Sequence, residues 1–262
     1  MTVKGRPVRL SDGLAVAGLS VTYQGVVAAS GVELAAPLGC ITGLIGPNGA
    51  GKTTVFNAVS GLVRPASGTV TMFGLDATDL SPGRRARLGL GRTFQIVEVC
   101  NEMTVRDNVA LGLEARLVGG SVRRHFRVGR AERRAVAEAT EQALEICGIN
   151  AMAGESVGSL STGVRRLVEL ARVVAGGFRL LLLDEPTSGL DTGESRQMGE
   201  ILAQVVAEHG VGVLLVEHDM QLVMELCSFI YVLDFGQPIF EGTPSEVQAS
   251  AEVRDAYLGV TA

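Results

Sequence analysis

A glycine-rich loop between a short apolar run and a helical segment constrains this chain more than any other feature. The run Cys40–Ile45 predicts a buried strand, and the segment Lys52–Ser60, which stops at Gly61, predicts a helix. The connecting residues match the pattern G-x-x-x-x-G-K-[ST] and read Gly46-Pro47-Asn48-Gly49-Ala50-Gly51-Lys52-Thr53-Thr54. This order of strand, turn and helix favours a phosphate-binding site over a chance glycine-rich turn.

The residue types of the loop suit a nucleoside triphosphate. Glycines let successive backbone N–H groups converge on phosphate oxygens, and the positive end of the following helix points at the same anion. We expect Lys52 to reach the β- and γ-phosphates, and the hydroxyl of Thr53 to bind Mg2+. The chain lacks an Asn-Lys-x-Asp sequence, with which GTPases recognise guanine, so ATP is the favoured nucleotide.

Two neighbouring carboxylates follow a second apolar run. Leu180–Leu183 predicts a buried strand, and Asp184 and Glu185 come directly after it. Since α/β sheets bind ligands at the carboxyl ends of their strands, we expect Asp184 to hold Mg2+ through water. Glu185 is then placed to accept a proton from the attacking water. Alone, such a pair suits the end of a structural strand equally well; beside a phosphate loop it favours catalysis.

Charge, cysteines and hydropathy exclude several classes of protein. The net charge of −5 argues against a chain that binds nucleic acid through bulk charge. The four cysteines form no Cys-x-x-Cys or Cys/His cluster, so a zinc site and a disulfide framework are not expected. The N-terminal residues contain no apolar signal region, and no apolar run reaches the roughly 18 residues of a membrane span. We expect a chain that meets a membrane only by docking to a partner.

Strand and helix patterns alternate along most of the chain, which predicts an α/β fold with a mostly parallel sheet covered by helices. The stretch from Thr104 to Gly148 is helical in pattern and predicts a subdomain inserted into this core. Residues 1–12 are polar and predict a loose N-terminal tail.

Several further motifs follow the phosphate loop in a fixed order. They are Gln95, Leu160-Ser161-Thr162-Gly163-Val164, Asp184-Glu185, Ser188-Gly189-Leu190-Asp191 and His218. Together these motifs resemble the ATP-binding subunit of an ABC transporter over about residues 13–260. The resemblance implies one nucleotide-binding domain over 13–262, with a P-loop NTPase core (13–95 and 161–262), an N-terminal antiparallel β subdomain and an α-helical subdomain (about 96–160).

The resemblance also implies how the site is assembled. ABC ATPases close head to tail around two ATP molecules, and each site uses two subunits. The other subunit contributes the signature segment, in which the hydroxyl of Ser161 and the N–H of Gly163 lie at a helix start that suits an anion. ADP lacks the γ-phosphate, so hydrolysis is coupled to opening.

Four more residues receive roles from the resemblance. His218 bridges the γ-phosphate and Glu185, although a lone histidine is ordinarily a core or capping residue. Gln95 senses Mg2+ and the attacking water. Asp191 organises the dimer interface. Tyr23 stacks on adenine, with ordinary strand packing as the alternative.

The signature departs from its usual Gly-Gly-Gln ending, because this chain has Thr162-Gly163-Val164. Thr162 adds a branched side chain close to the partner's ATP, and Val164 lacks an amide group. These changes predict weaker closure, or the poorer of two sites in a heterodimer. Glu185 is intact, so we expect the site on this chain's own phosphate loop to hydrolyse ATP.

Longer motif wording narrows the resemblance to the Liv-type subunits. The wording is Gly91-Arg92-Thr93-Phe94-Gln95, Val216-Glu217-His218-Asp219-Met220, Glu241-Gly242-Thr243-Pro244 and Ala256-Tyr257-Leu258-Gly259. Those subunits energise importers of branched-chain and other hydrophobic amino acids. The resemblance implies a second ATPase subunit, two transmembrane permeases, an extracytoplasmic solute-binding protein and a peripheral location on the cytoplasmic face of the membrane. The alternatives are the ATPase of a lipopolysaccharide-type exporter, a cytosolic ABC ATPase without a transporter, and a degenerate nucleotide binder.

Overall fold

The structure, a computed structural model, describes residues 2–3, 6–7, 13–93, 99–118 and 129–258. The strands in these ranges are β1 (Thr2–Val3), β2 (Arg6–Pro7), β3 (Gly13–Tyr23), β4 (Val26–Pro37), β5 (Ile41–Ile45), β6 (Ser67–Met72), β7 (Leu75–Asp76), β8 (Leu90–Arg92), β9 (Leu180–Asp184), β10 (Gly212–Val216), β11 (Phe229–Asp234) and β12 (Gln237–Gly242). The helices are α1 (Lys52–Ser60), α2 (Pro82–Leu88), α3 (Val105–Val118), α4 (Arg130–Ile146), α5 (Thr162–Ala175), α6 (Thr192–His209), α7 (Met220–Leu226), α8 (Pro244–Ala249) and α9 (Ala251–Leu258).

The central sheet has six strands in the order β12-β11-β5-β10-β9-β8. Every neighbouring pair is parallel except β11 and β12, which confirms the mostly parallel sheet. All residues of β9 and β10 are buried, and successive side chains point to opposite faces of the sheet, where they pack in two different apolar clusters. Leu181 and Leu183 face one apolar cluster, whereas Leu180 and Leu182 face the other. Coverage of both faces explains why these strands are continuously apolar in sequence.

A second, antiparallel sheet of four strands has the order β4-β3-β6-β7. Its buried residues share one apolar cluster with Val55 and Phe56 of α1 and with one face of the central sheet. The expected N-terminal antiparallel sheet is therefore confirmed. In the segment expected to be a loose tail, β1 and β2 pair as a short antiparallel ladder.

Helices α3, α4 and α5 pack against one another and against the other face of the central sheet. The approach of α3 to α5 is close, since a Cβ on Gly112 would lie 1.9 Å from the carbonyl oxygen of Arg172. Both α3 and α4 lie within the expected helical subdomain, and α5 joins them from the expected core range. Among the described helices, none combines the length and the apolar character that a membrane crossing requires.

Helix α2 was not predicted, because its sequence, Pro-Gly-Arg-Arg-Ala-Arg-Leu, has no apolar periodicity. The helix is anchored instead by Arg85, which is buried to 1% exposure. The Arg85 guanidinium donates to the carbonyl oxygens of Ala58 and Val59 at 2.7 and 2.5 Å, at the C-terminal end of α1. A cationic group at that position also suits the helix dipole.

Candidate nucleotide site

The glycine-rich loop joins β5 to α1 at the carboxyl edge of the central sheet. Gly46 and Gly51 have φ angles of +152° and +94°, which favour glycine. A Cβ would lie 2.1 Å from the carbonyl oxygen of Leu233 at Gly46, and 2.6 Å from that of Ala28 at Gly51. The loop is therefore seated against β11 and β4, with its remaining residues at the start of α1.

Lys52 is buried and bonded within the loop. Its Nζ donates to the carbonyl oxygens of Gly46 at 2.6 Å and Pro47 at 3.0 Å. Burial lowers the pKa of Lys52, and the charges of Glu185 and Asp184 act in the opposite direction. An ammonium held by neutral carbonyls beside α1 gives the loop the charge that phosphate oxygens require.

Asp184 ends β9, and Glu185 follows in a left-handed conformation with φ +50°. Such a backbone is strained for a residue other than glycine and is typical of functional sites. The Glu185 N–H donates to the carbonyl oxygen of Val216 on β10 at 2.9 Å. Burial raises the pKa of Asp184, while the charge of Arg92 lowers it.

Arg92 connects the acidic edge to the helix of the phosphate loop. Its Nη2 lies 3.5 Å from Oδ2 of Asp184, and both side chains are buried. Its Nη1 donates to Oδ1 of Asn57 at 2.9 Å and to Oγ of Ser60 at 2.7 Å, both on α1. Arg92 thereby links the end of β9 to α1.

His218 follows β10 and faces Glu185 across the neighbouring strand ends. Its Nε2 lies 2.6 Å from Oε1 of Glu185, at hydrogen-bonding distance. The side chain of His218 is 46% exposed and that of Glu185 12% exposed, so the histidine lies on the solvent side of the pair. The two residues and the phosphate loop line one cavity of about 520 Å3, together with Val26, Val27, Ala28, Phe235 and Gly236.

The donors at this edge suit a divalent cation. The hydroxyl of Thr53, which lines the cavity, and the carboxylate of Asp184 are the hard oxygen ligands that Mg2+ prefers. Because burial raises the pKa of Asp184, a positive charge next to its carboxylate would offset the cost of burying that charge.

The aromatic residue expected to stack on adenine, Tyr23, is 42% exposed at the end of β3. It pairs with Val26, which lines the cavity, but Tyr23 itself is not among the residues that line it. Phe235 is, and its side chain is 88% exposed on a backbone with φ +43°. Its turn is fixed because the Gly236 N–H donates to the carbonyl oxygen of Ala50 at 3.1 Å.

The signature residues lie outside this cavity. Ser161 caps α5, and its Oγ accepts the N–H of Val164 at 3.3 Å. Gly163 is buried against Glu194 of α6, where a Cβ would lie 2.2 Å from Oε1. Oε2 of Glu194 accepts the N–H of Asp191 at 3.1 Å, so one side chain joins the signature to Asp191. Gln95 lies outside the described residues.

Comparisons with known proteins identify the family to which the whole chain belongs. A family model described as ABC transporter matches residues 29–188, and one described as branched-chain amino acid ATP-binding cassette transporter matches residues 237–262. The high-affinity branched-chain amino acid transport ATP-binding protein BraF of Pseudomonas aeruginosa is 38% identical over 94% of this chain and 97% of its own length. The chain belongs to the ABC transporter family. It is an ATP hydrolase of the ABC type, as the motif order predicts.

The chain is also similar to the ATP-binding protein of an export system and to a solved structure of an ATP-binding cassette. The lipopolysaccharide export system ATP-binding protein LptB of Acidithiobacillus ferridurans is 35% identical over 95% of this chain and 98% of its own length. The solved ADP conformation of an ATP-binding cassette from an ABC transporter matches with a TM-score of 0.82 and 26% identity, over 95% of this chain and 99% of that one.

Three residues of this ABC cassette contact the site without having been singled out from the sequence: Arg92, Glu217 and Phe235. Arg92 and Glu217 stand inside motif segments, and a charged residue next to an apolar run is the signal that marks them. Phe235 carries no such signal, because an aromatic residue before a turn glycine is most simply explained by packing.

Proposed function

We propose that this chain is the ATP-hydrolysing subunit of an importer of branched-chain amino acids. The observation that carries the proposal is the pair of family matches on one chain, the second of which is specific to branched-chain amino acid cassettes. The similarity to BraF over nearly the full length of both chains supports the same solute class.

In this proposal the loop from Gly46 to Thr54 holds the phosphates of ATP through the Lys52 ammonium and through its backbone N–H groups, which all of its residues except Pro47 possess. Thr53, Asp184 and Gln95 would hold Mg2+, and Gln95 follows strand β8 in sequence. When bound, Mg2+ supplies positive charge that stabilises the phosphate oxygens. Tyr23, and with it Phe235, contacts the base.

Glu185 is the proposed general base. Its carboxylate accepts a proton from water as the water oxygen bonds to the γ-phosphorus, and the bond from that phosphorus to the bridging oxygen breaks to release ADP. His218, 2.6 Å from Oε1 of Glu185, orients this carboxylate and faces the γ-phosphate. The strained backbone at Glu185 supports the assignment, because strain of this kind persists where function requires a fixed geometry.

A second ATPase subunit completes each site with its signature, and this chain's Ser161 and Gly163 serve the partner's ATP in return. Asp191 lies at the same interface and caps α6. Two transmembrane permeases hold the ATPase pair at the cytoplasmic face of the membrane, and an extracytoplasmic protein delivers the solute. Loss of the γ-phosphate removes the ligand that joins the two subunits, so hydrolysis opens the pair.

Uptake measurements test the proposal. In the source cells, deletion of this chain is expected to abolish energy-dependent uptake of labelled leucine, isoleucine and valine. Wild-type chain restores uptake, and Glu185→Gln and Lys52→Ala do not. A tagged chain, recovered from gently solubilised membranes, is expected to co-purify with two permeases and a similar ATPase.

Three results contradict the proposal. Unchanged uptake in the deletion strain, together with co-purified permeases of another transporter, assigns a different solute. An export partner would favour the lipopolysaccharide-type alternative that the likeness to LptB keeps open. Recovery without any membrane partner would overturn the transport role.

A further inference from the structure

Glu217 is a buried carboxylate between two segments of the hydrolytic site. It follows the last residue of β10 and is 3% exposed. Its Oε1 accepts the backbone N–H of Thr187 at 2.9 Å and the Thr187 hydroxyl at 2.7 Å. Its Oε2 accepts the backbone N–H of His218 at 3.1 Å. One side chain therefore satisfies three donors on two segments.

Those two segments carry the proposed base and its partner. Thr187 lies two residues after Glu185, and His218 follows Glu217 directly. The strands before them are paired, since Val216 lies opposite Asp184 and the Glu185 N–H donates to the Val216 carbonyl. The backbone pairing, the Glu217 bonds and the contact between His218 and Glu185 form a closed ring around the reacting end of the site.

Packing alone does not account for a carboxylate at this position. Burial raises the pKa of Glu217, and so does the charge of Glu185, while the bonds from Thr187 and His218 lower it. Burying a carboxylate is costly unless its oxygens are fully hydrogen-bonded. Three donors arranged around two oxygens need an acceptor-only group, and glutamine would turn an amide N–H towards one of them.

We infer that Glu217 is a positioning residue for ATP hydrolysis, which fixes His218 and the backbone after Glu185 so that the two side chains meet. The inference rests on the hydrolytic roles proposed for Glu185 and His218. Glu217 has no proposed contact with ATP, so replacing it is expected to lower the rate of hydrolysis and not the affinity for nucleotide.

The test compares kcat, ATP affinity and unfolding midpoint of the full chain in its assembled transporter. Glu217→Gln is expected to lower kcat by about 10- to 100-fold, the range that a misplaced catalytic group costs, with ATP affinity nearly unchanged. Glu225→Gln, at an exposed position on α7, removes the same charge as a matched control. In a His218→Ala background, Glu217→Gln is expected to cause little further loss, because both changes disable the same pair.

Thr187 provides a second, milder test. Thr187→Val removes one of the three bonds and is expected to lower kcat by a smaller factor, and Thr187→Ser is expected to restore the rate by returning the hydroxyl. A Glu217→Gln protein with wild-type kcat overturns this inference but leaves the proposed function standing. The same holds if the loss in kcat from Glu217→Gln adds fully to the loss from His218→Ala. A wild-type transporter without ATP hydrolysis overturns the proposed function and this inference with it.

Discussion

The Nε2 atom of His218 lies 2.6 Å from Oε1 of Glu185, although 33 residues separate them in sequence. Two parallel neighbouring strands, β9 and β10, end side by side and deliver the pair to the same edge of the sheet. The strand order of one chain is therefore enough to hold the imidazole against the carboxylate. Groups that the fold holds in place need little reorganisation during a reaction, and such preorganisation is usually the largest contribution to stabilising developing charge.

The first prediction concerns the proposed base. Glu185→Gln keeps the shape of the side chain but cannot accept a proton, so we expect hydrolysis to slow by about 10²–10⁴-fold. ATP binding is expected to persist, since Lys52 and the loop are untouched. Steady-state hydrolysis and equilibrium ATP binding check the two expectations.

Glu208→Gln is the control, because Glu208 is exposed and accepts a hydrogen bond from the side chain of Gln204. A variant that hydrolyses ATP at the wild-type rate would remove Glu185 from the mechanism.

The second prediction uses the absence of tryptophan from the chain. Phe235→Trp places a single tryptophan on the cavity of the phosphate loop, where Phe235 is 88% exposed, and its fluorescence can be excited apart from that of the three tyrosines. We expect ATP to change its fluorescence by stacking of the base, and inorganic tripolyphosphate, which binds the loop without a base, to leave it nearly unchanged.

Leu75→Trp is the matched control for this reporter. Leu75 is 54% exposed on β7, and β7 and β4 form opposite edges of the antiparallel sheet. Its fluorescence is expected to be insensitive to either ligand. An equal response of the Phe235→Trp protein to ATP and tripolyphosphate would show that the residue senses the loop and not the base.

The sequence predicts those elements whose local signals agree with their tertiary surroundings. Helix α1 spans the predicted Lys52–Ser60, because a glycine loop begins it and Gly61, with φ +80°, ends it. Strand β9, Leu180–Asp184, covers the predicted Leu180–Leu183, because burial on both faces selects a continuous apolar run. Helix α2 escapes prediction because its stability depends on Arg85, whose partners lie in a different helix.

The residues of the candidate site also fall into a predictable group and an unpredictable group. The phosphate loop and the acidic end of β9 are local patterns, so the sequence predicts them. Phe235 reaches the cavity because β11 lies beside β5, a pairing between residues almost 190 positions apart. Glu217 acquires its role from Thr187, 30 residues away. Neither neighbour can be inferred from spacing, since both depend on the order of strands in the sheet.

The third prediction concerns pH and stability. Burial raises the pKa of Asp184 in the folded chain above its unfolded value near 4. Between these two values the folded state binds more protons than the unfolded state, so this group makes the free energy of unfolding fall as pH rises from about 4. Asp184→Asn mimics the protonated form and is expected to gain stability over wild type more at pH 7 than at pH 4.

Thermal unfolding of the nucleotide-free chain at the two pH values measures this difference. Asp255→Asn, at an exposed position on α9, controls for the loss of one carboxylate. The gain should be accompanied by loss of hydrolysis, because the same carboxylate is proposed to hold Mg2+. A stability difference that is independent of pH would contradict the role of the buried charge.

The fourth prediction concerns the contact between the signature and α6. In Gly163→Ala the new Cβ would meet Oε1 of Glu194 at 2.2 Å and force this carboxylate away from the Asp191 N–H. The expected cost is about 1 kcal/mol of unfolding free energy, the typical worth of a helix N-terminal cap. Glu194→Ala removes the clash, so adding Gly163→Ala to that variant should cost little more.

Unfolding of the two single variants and the double variant measures the coupling between Gly163 and Glu194. Gly154→Ala is the control, because a Cβ at Gly154 would meet open space. Fully additive losses would mean that the signature and the Asp191 cap are energetically independent.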